Sequence, residues 1–536
     1  MRFVGRASHL ARIASIDMDE TYDFVVVGGG SAGCVIASRL TEDPRVRVLV
    51  LEAGDTHGPD AMNVPALWPT LLGTTLDWRS HTVPQRGLDN AALAYPRGRV
   101  LGGSSSINAM AFLRAHPSSY DSWASEGATG WHYDALLPYF QRSECAAAGR
   151  DPRWRGTNGP MTPTPMSNLH PAAEAFLEGC EELGYPISND LNGAEPEGAS
   201  RYELSAVDGV RQSVADAYLR PVLDRPNLTV ITTAPVTRLE FAGLRCTGVA
   251  YLEIGNHPQT VRAEREVILS AGAIGTPQLL QLSGIGPANH LRARGIPVIV
   301  DLAGVGANLS DHPMGVVAYS AAQPMPAGAN NHVDVLAALR ADPASVVPDS
   351  HILFCDIPVF PRGFEGHVEP DYTFEFSMLR PHSRGSVRLA SNDPAVAPLI
   401  DPALLDDERD VTGMLNTLRL ARRLGQTKAL AKWRKEEILP GSDVSTEAEL
   451  RAYLRRSVGT YWHPAGTCAM GSAPVAVVDL DLKVNGVEGL RVVDASVMPS
   501  VPGANLNATV VAIAERAAEI IYQAAGYTTL VGTVGD

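Results

Sequence analysis

Tyr22 to Glu52 reads Y-D-F-V-V-V-G-G-G-S-A-G-C-V-I-A-S-R-L-T-E-D-P-R-V-R-V-L-V-L-E, and the order of its signals decides the fold class. The run Y-D-F-V-V-V is short and apolar, as suits a parallel strand buried on both faces. Gly28-Gly29-Gly30 breaks it, Ser31 to Leu40 has helical character, and Asp43-Pro44 stops that helix. Val46 to Leu51 supplies a second strand. The spacing predicts a strand–helix–strand crossover of about thirty residues, the size of a βαβ unit.

Within this unit Gly28, Gly30 and Gly33 form G-x-G-x-x-G in the context the pattern requires, after a strand and opening a helix. Gly28 permits the tight turn, Gly30 lets a pyrophosphate approach the backbone, and Gly33 lets helix and strand pack closely. Ser31 and Ala32 lie between them in the first helical turn, whose free N–H groups and positive dipole end attract phosphate. Glu52 closes the next strand, 52 − 33 = 19 residues past Gly33. A carboxylate there accepts hydrogen bonds from both ribose hydroxyls and repels a 2′-phosphate. Ala53-Gly54 suit a turn of the FAD type, although this segment alone leaves NAD open.

Further along, Val267 to Ser270 reads as a strand leading into Ala271-Gly272-Ala273, with a helix from Thr276-Pro277. Leu490 to Val493 leads to Asp494-Ala495, and a final helix runs from about Asn507 to Tyr522. Leu228 to Glu253 reads as a β-meander with glycine breaks. Asp311 to Thr460 mixes Pro-rich loops, strand-like runs and a helical stretch from Asp407 to Leu424, without a cofactor fingerprint. Strands of the first domain thus recur at both ends of the chain.

The expected class is therefore α/β: a Rossmann-like cofactor domain interrupted by an α+β substrate-binding domain with an antiparallel sheet. Its expected division is 19–160, 200–312 and 464–536 for the cofactor domain, and 161–199 and 313–463 for the substrate domain. Residues 1–18 read as a flexible tail, with Met18 an alternative start to Met1.

The bulk composition agrees. A chain of 536 residues exceeds one core, and 45% hydrophobic against 19% charged residues describes a globular protein. A formal net charge of −15 argues against general nucleic-acid or anionic-membrane binding. The six cysteines form no C-x-x-C pair, which argues against a zinc site, and no metal is expected. Their sparse distribution also argues against a disulfide scaffold, so a reduced, cytoplasmic setting is the simplest expectation. No stretch approaches the roughly 20 apolar residues of a membrane span.

Gly98 to Asn108, G-R-V-L-G-G-S-S-S-I-N, resembles the first signature of the glucose–methanol–choline oxidoreductases. Gly272 to Gly286, G-A-I-G-T-P-Q-L-L-Q-L-S-G-I-G, resembles their second. V-G-A-N-L-S-D-H-P at Val305–Pro313, S-R-G-S-V-R-L-A-S at Ser383–Ser391, Y-W-H-P-A-G-T at Tyr461–Thr467 and P-G-A-N-L-N-A-T at Pro502–Thr509 continue the likeness in the family's order. The resemblance implies FAD, an interrupted Rossmann-like domain and oxidation of a small-molecule alcohol. Oxygen, or a quinone- or dye-type compound, would accept the electrons. It also implies that Val100, Gly103, Asn108 and Ala109 touch the flavin or its phosphates, and that Val236 meets adenine through its backbone. Ala271, Gly272, Asp494, Ala495, Asn505 and Thr509 would complete the cofactor site. Covalently flavinylated relatives carry His where this chain has Ile107, and isoleucine cannot bond a flavin methyl. Dissociable FAD is therefore expected.

Removing a hydride from a carbinol carbon requires a base for the hydroxyl proton, and His is the usual choice near neutral pH. His463, in W-H-P-A-G-T, stands where the resemblance places the catalytic His. Asn507, 507 − 463 = 44 residues later, takes the place of a second His or Asn that orients the alcohol or steadies a developing alkoxide. His312, in S-D-H-P, reads as holding a turn. His351, before an apolar strand, reads as a packed residue with substrate contact as the alternative. Arg97 and Arg99 read equally as solvated loop residues or as balancing flavin charge. Tyr461 and Trp462 read as pocket wall or core. The competing function is a non-redox lyase of the same fold, of the hydroxynitrile lyase kind. Flavin photochemistry on a fatty acid and flavin binding without catalysis are the remaining classes.

Overall fold

A computed structural model describes residues 21–364 and 371–527. The expected tail at 1–18, and with it the choice between Met1 and Met18, lies outside them. β1 (Tyr22–Val27), α1 (Ser31–Leu40) and β2 (Val48–Leu51) form the expected crossover. β1 and β2 pair in parallel, and Val25 to Leu51 are almost wholly buried along both strands. Such burial is what a valine- and leucine-rich strand without alternation requires.

β3 (Leu228–Ile231) adds to the outer side of β2, also in parallel. This differs from the expected meander over Leu228–Glu253. L-T-V-I marks a strand, but a strand's partner is set by tertiary contact and not by its own pattern. The meander proper is β4 (Val236–Ala242), β5 (Arg245–Glu253) and the first half of β6 (His257–Leu269). The second half of β6 turns parallel and lies between β1 and the strand Leu490–Val492. α2 (Gly272–Leu282) follows β6 directly, starting four residues before the expected Thr276. The parallel order is thus Leu490–Val492, β6, β1, β2, β3. The chain leaves β1 and β6 toward opposite edges, so the switch point of the sheet lies between them. Ligands of open α/β sheets bind at that point, beyond the strands' carboxyl ends.

The second sheet is antiparallel. It contains β7 (Pro313–Ala321), β8 (Val333–Leu339), β9 (Ser350–Cys355), β10 (Tyr372–Met378) and β11 (Arg434–Leu439), in the order β11-β7-β10-β9-β8. Gly198–Arg201 extends it beyond β8, and Gly459–Thr460 pairs with the start of β7. α3 (Glu408–Gly425) covers one face, where Phe354, Tyr372, Phe374, Phe376 and the leucines of α3 share one core. The other face belongs to the core of the parallel sheet, which takes in Leu336, Leu353 and Cys355 together with Tyr202 and Tyr461. α4 (Asn507–Ala524) returns from the far end of the chain to pack on α1. Among the described residues no helix is long and apolar enough to cross a membrane.

Candidate active site

The carboxyl ends of β1 and β6 touch. Gly28 has φ +100°, and a Cβ there would lie 2.5 Å from the Ser270 carbonyl. The Gly102 N–H donates to the Gly29 carbonyl at 2.7 Å, and a Cβ on Gly103 would come within 2.8 Å of the Gly30 Cα. The loops at Gly28–Gly30, Gly102–Gly103 and Ser270–Gly272 therefore converge at the switch point. Around Gly30 itself there is room: a Cβ would meet nothing nearer than 3.9 Å.

α1 begins at Gly30 with no side-chain cap, which leaves the Ser31, Ala32 and Gly33 N–H groups without intrahelical partners. α4 begins uncapped beside it, with the Ser31 hydroxyl donating to Asn507 Oδ1 at 2.7 Å. Asn507 Nδ2 and Ser270 Oγ are buried there with no hydrogen-bond partner. Two uncapped helix N-termini and unpaired buried donors fit a pyrophosphate-bearing cofactor.

Glu52 accepts from the Gly29 N–H at 2.8 Å and the Gly54 N–H at 2.7 Å. Burial outweighs these bonds and pushes its carboxyl up to about 7. Ala53 lies between Glu52 and Gly54. The Thr233 and Ala234 N–H groups donate to the Gly54 and Glu52 carbonyls, which brings Val236, at the start of β4, to the same end.

Val100 is buried with Ile107 in a small apolar cluster. Asn108 Oδ1 accepts from the Met110 N–H and from Arg211, and the Ala109 carbonyl accepts from Asn331. Asp494 is fully engaged, taking Gly272 N–H and Thr276 Oγ1 on one oxygen and Ser496 on the other. It thereby ties the end of strand Leu490–Val492 to the start of α2, while the Ala495 carbonyl accepts from Gly466. The Thr509 hydroxyl is paired with Tyr120 Oη at 2.9 Å, inside the protein.

On the far side of this crevice stands His463. Asp311 fixes its loop, accepting from the His463 backbone N–H at 2.8 Å, from Tyr95 Oη and from Thr460 Oγ1. The Arg97 guanidinium donates to the Trp462 carbonyl at 2.7 Å. The imidazole has two polar neighbours. Nδ1 lies 3.0 Å from His312 Nδ1, and Nε2 lies 3.3 Å from Asn505 Nδ2.

His312 Nε2 faces the Leu379 carbonyl at 3.2 Å, an acceptor only, so it carries a proton. His312 Nδ1 is then a lone pair, and His463 must donate to it from Nδ1. His463 Nε2 is left as the free base, facing the Asn505 amide donor. Tyr202 Oη donates to Asn505 Oδ1 at 3.3 Å and so orients that amide. Burial, helped by His312, Arg97 and His351, holds the His463 imidazole well below the ordinary histidine range. His312 is pushed down to about 4 and His351 to about 3 by burial.

The structure thus brings His463 and Asn505 together and places Asn507 elsewhere. The sequence pattern implies the reverse, Asn507 beside His463 and Asn505 on the cofactor. Asn505 lies in the loop that faces His463, whereas Asn507 opens α4 and turns to Ser31. His312 is not a turn holder but the acceptor behind the base. Asp311 and Tyr202 escaped the sequence reading altogether. His351 lies on β9, two strands over from β7, its Nδ1 buried and unpaired.

Comparison with known proteins shows the family. The GMC oxidoreductase family profile matches residues 22–314 with its N-terminal part and 381–514 with its C-terminal part. Mitochondrial choline dehydrogenase from Mus musculus is 41% identical over 95% of this chain and 90% of its own. An alcohol dehydrogenase [acceptor] from Pseudomonas putida is 36% identical over 96% of this chain and 98% of its own. The crystal structure of pyridoxine 4-oxidase from Mesorbium loti superposes with a TM-score of 0.90 at 36% identity, covering 95% of this chain and all of that one. With both family profiles in place, near-full-length relatives and a shared architecture, the chain belongs to the GMC oxidoreductase family.

Proposed function

We propose that this protein is an FAD-dependent oxidoreductase that converts an alcohol to an aldehyde or ketone, with His463 as the base. The observation that carries the reading is the unprotonated Nε2 of His463, fixed by the bond behind it and turned toward Asn505. FAD, when bound, supplies the acceptor for the carbinol hydride.

The chain's own residues hold it and handle the proton. Gly28, Gly30, Ser31, Ala32, Gly33 and Asn507 would hold the phosphates, and Glu52, Ala53 and Val236 the adenosine end. Val100, Gly103, Asn108, Ala109, Ala271, Gly272, Asp494 and Ala495 would form the remaining wall, with Thr509 behind it. His463 Nε2 accepts the hydroxyl proton. Asn505 Nδ2 donates to the same oxygen as negative charge grows there. Tyr202 keeps the amide turned that way, and His312 stabilises the imidazolium that results. Burial, with His312 and Arg97 beside it, keeps His463 neutral.

Ile107, packed among Met62, Leu71, Leu76 and Val100, offers no nucleophile, so we read FAD as dissociable. We divide the chain close to what its sequence implies, into a cofactor domain at 19–160, 202–312 and 464–536 and a substrate domain at 161–201 and 313–463; the expected boundary at 199/200 moves because Gly198–Arg201 is one strand of the antiparallel sheet. Six free cysteines suit a reducing compartment, in the simplest case the cytoplasm.

Anaerobic mixing of the yellow protein with a panel of primary and secondary alcohols tests the activity. Bleaching by some alcohol is expected, and repeating turnover with oxygen alone and with a quinone-type dye identifies the acceptor. Cyanohydrin cleavage without bleaching would replace the reading with the lyase. Acid precipitation should release the flavin into the supernatant; flavin that stays with the pellet overturns the dissociable cofactor.

A further inference from the structure

Two short 3₁₀ turns, Asp60–Asn63 and Pro65–Leu71, border the crevice. Met62 and Leu71 pack with Val100 and Ile107 of the signature loop. The Trp68 ring meets Trp462, the neighbour of His463, edge to face with centroids 6.2 Å apart. The segment is therefore part of the wall beside His463. Val64 and Leu67 on the same stretch are exposed, so its outer side has no protein cover.

Polar bonds fasten this wall at two places. The Met62 carbonyl accepts from Arg211 Nε at 2.8 Å, and Arg211 also donates to the Asn108 carbonyl. A guanidinium keeps its protons at any working pH, so this end does not titrate. The other fastening is Asn331-His332, just ahead of and entering β8. The Asn331 carbonyl accepts from Trp68 Nε1 at 3.1 Å, and its Nδ2 donates to the Ala109 carbonyl at 2.7 Å. His332 Nε2 lies 3.0 Å from the Ala66 carbonyl, and Nδ1 lies 2.9 Å from Asp356 Oδ1. The His332 backbone has φ +75°, a left-handed conformation that a non-glycine residue keeps only where its surroundings fix it.

A carbonyl and a carboxylate are both acceptors, so His332 makes both bonds only while its ring carries two protons. Neutral His332 has one proton, and the buried Asp356 carboxylate keeps it, because the charge-assisted bond is the stronger. The Ala66 carbonyl then loses its donor. Among the described residues Asp356 and, on β8, Asp334 are the charged groups that bear on the ring. Asp334 already accepts from the His170 N–H and from Asn330. The Asp356 bond, ahead of the opposing effect of burial, holds His332 above the ordinary histidine value, and the Ala66 bond adds to the rise. The Ala66 bond is thus fully present below 6.5 and is lost as pH climbs through the raised value. We propose that His332 is a positioning residue that latches the Pro65–Leu71 wall while protonated and loosens it on becoming neutral. The inference rests on alcohol oxidation at His463 for its consequence, and on the two bonds of His332 for the latch itself.

The test is millisecond-mixing hydrogen–deuterium exchange on the full-length, flavin-loaded protein at pH 6 and pH 8.5, each corrected by an unstructured peptide of the same sequence. Protection across residues 60–71 should fall about fivefold or more at the higher pH, the worth of one hydrogen bond. The open form stays a minority at both pH values, so kcat/KM for a small neutral alcohol does not move with it. His332→Phe should show the lower protection at both. In Asp356→Asn the amide can donate to Nδ1, which leaves the single ring proton on Nε2 for Ala66; protection should then stay high at both. Equal protection at the two pH values in the wild type overturns the latch, as does a step that survives in His332→Phe. Should that variant fail to fold, a wild-type-sized step in Asp356→Asn overturns it equally. Exchange needs no turnover. A pH step without oxidation of any alcohol keeps the latch and rejects the activity, and flavin bleaching without a step does the reverse.

Discussion

His312 Nδ1 and His463 Nδ1 lie 3.0 Å apart with their rings perpendicular, and this pair fixes which nitrogen of His463 is left unprotonated. The Leu379 carbonyl takes the only ring proton of neutral His312, so the direction of the whole chain of bonds follows from one backbone oxygen. A residue that orients a reactive imidazole from behind typically contributes about 10–100-fold. His312→Ala should slow anaerobic flavin reduction by about that factor with flavin still bound. His312→Gln, whose carbonyl can accept from His463 Nδ1, should recover part of the loss. Equal loss in both variants would reduce His312 to packing.

The two asparagines of N-L-N should separate cleanly. Asn505→Ala removes the donor facing His463 Nε2 and should lower the reduction rate by ~10²-fold while the protein stays yellow. Asn507→Ala removes the partner of Ser31 and should weaken flavin retention, leaving the loaded fraction active. Absorbance at purification and stopped-flow reduction of the same samples read the two effects. An exchange of the two phenotypes would return Asn507 to the catalytic place.

Acid should affect the rate only late. A depressed imidazole pKa favours the neutral form, so His463 is already the base at its ordinary value of 6.5 and is lost only well below it. With a neutral alcohol, kcat/KM should stay level from about pH 6.5 to 9 and fall on the acid side. A fall centred at neutral pH would mean that another group serves as base.

Gly30 and Gly33 make a paired test of the cofactor cradle. Gly30→Ala adds a Cβ that meets no protein atom closer than 3.9 Å, at a φ of −75° that alanine adopts freely. Its unfolding midpoint without flavin should match wild type while flavin binding collapses. Gly33→Ala places a Cβ 1.9 Å from the Gly28 carbonyl, and the resulting strain should destabilise the fold by ~1–3 kcal/mol. Thermal unfolding of both apoproteins, followed by flavin titration, distinguishes a ligand clash from a packing clash.

The crossover at Tyr22–Leu51 was legible because each of its signals is local: an apolar run, a glycine turn, a helix, a second apolar run. The glycine motif and the long helices are legible for the same reason, and the place of His463 opposite Asn505 from the motifs around both. Leu228–Ile231 was recognised as a strand but given the wrong neighbours, since backbone pairing is decided by sequence far away. N-L-N offers two asparagines on either side of a helix start, and only the position of that start sends Asn505 one way and Asn507 the other. His312 looked like a turn residue because S-D-H-P carries turn chemistry; the side chain that faces it arrives 151 residues later.

Ser31 on the first helix binds Asn507 on the last, across 476 positions of chain, and the strand Leu490–Val492 borders β6 from the same late stretch. A ribosome that has made the glycine turn must make nearly everything else before the nucleotide cradle can close. The nascent first half therefore waits with the flank of β6 uncovered and α1 unroofed, and the antiparallel unit is complete in sequence before the unit that encloses it. On the cofactor site proposed above, flavin capture is an event of the finished polypeptide, and a prematurely terminated product ending before α4 should retain it poorly.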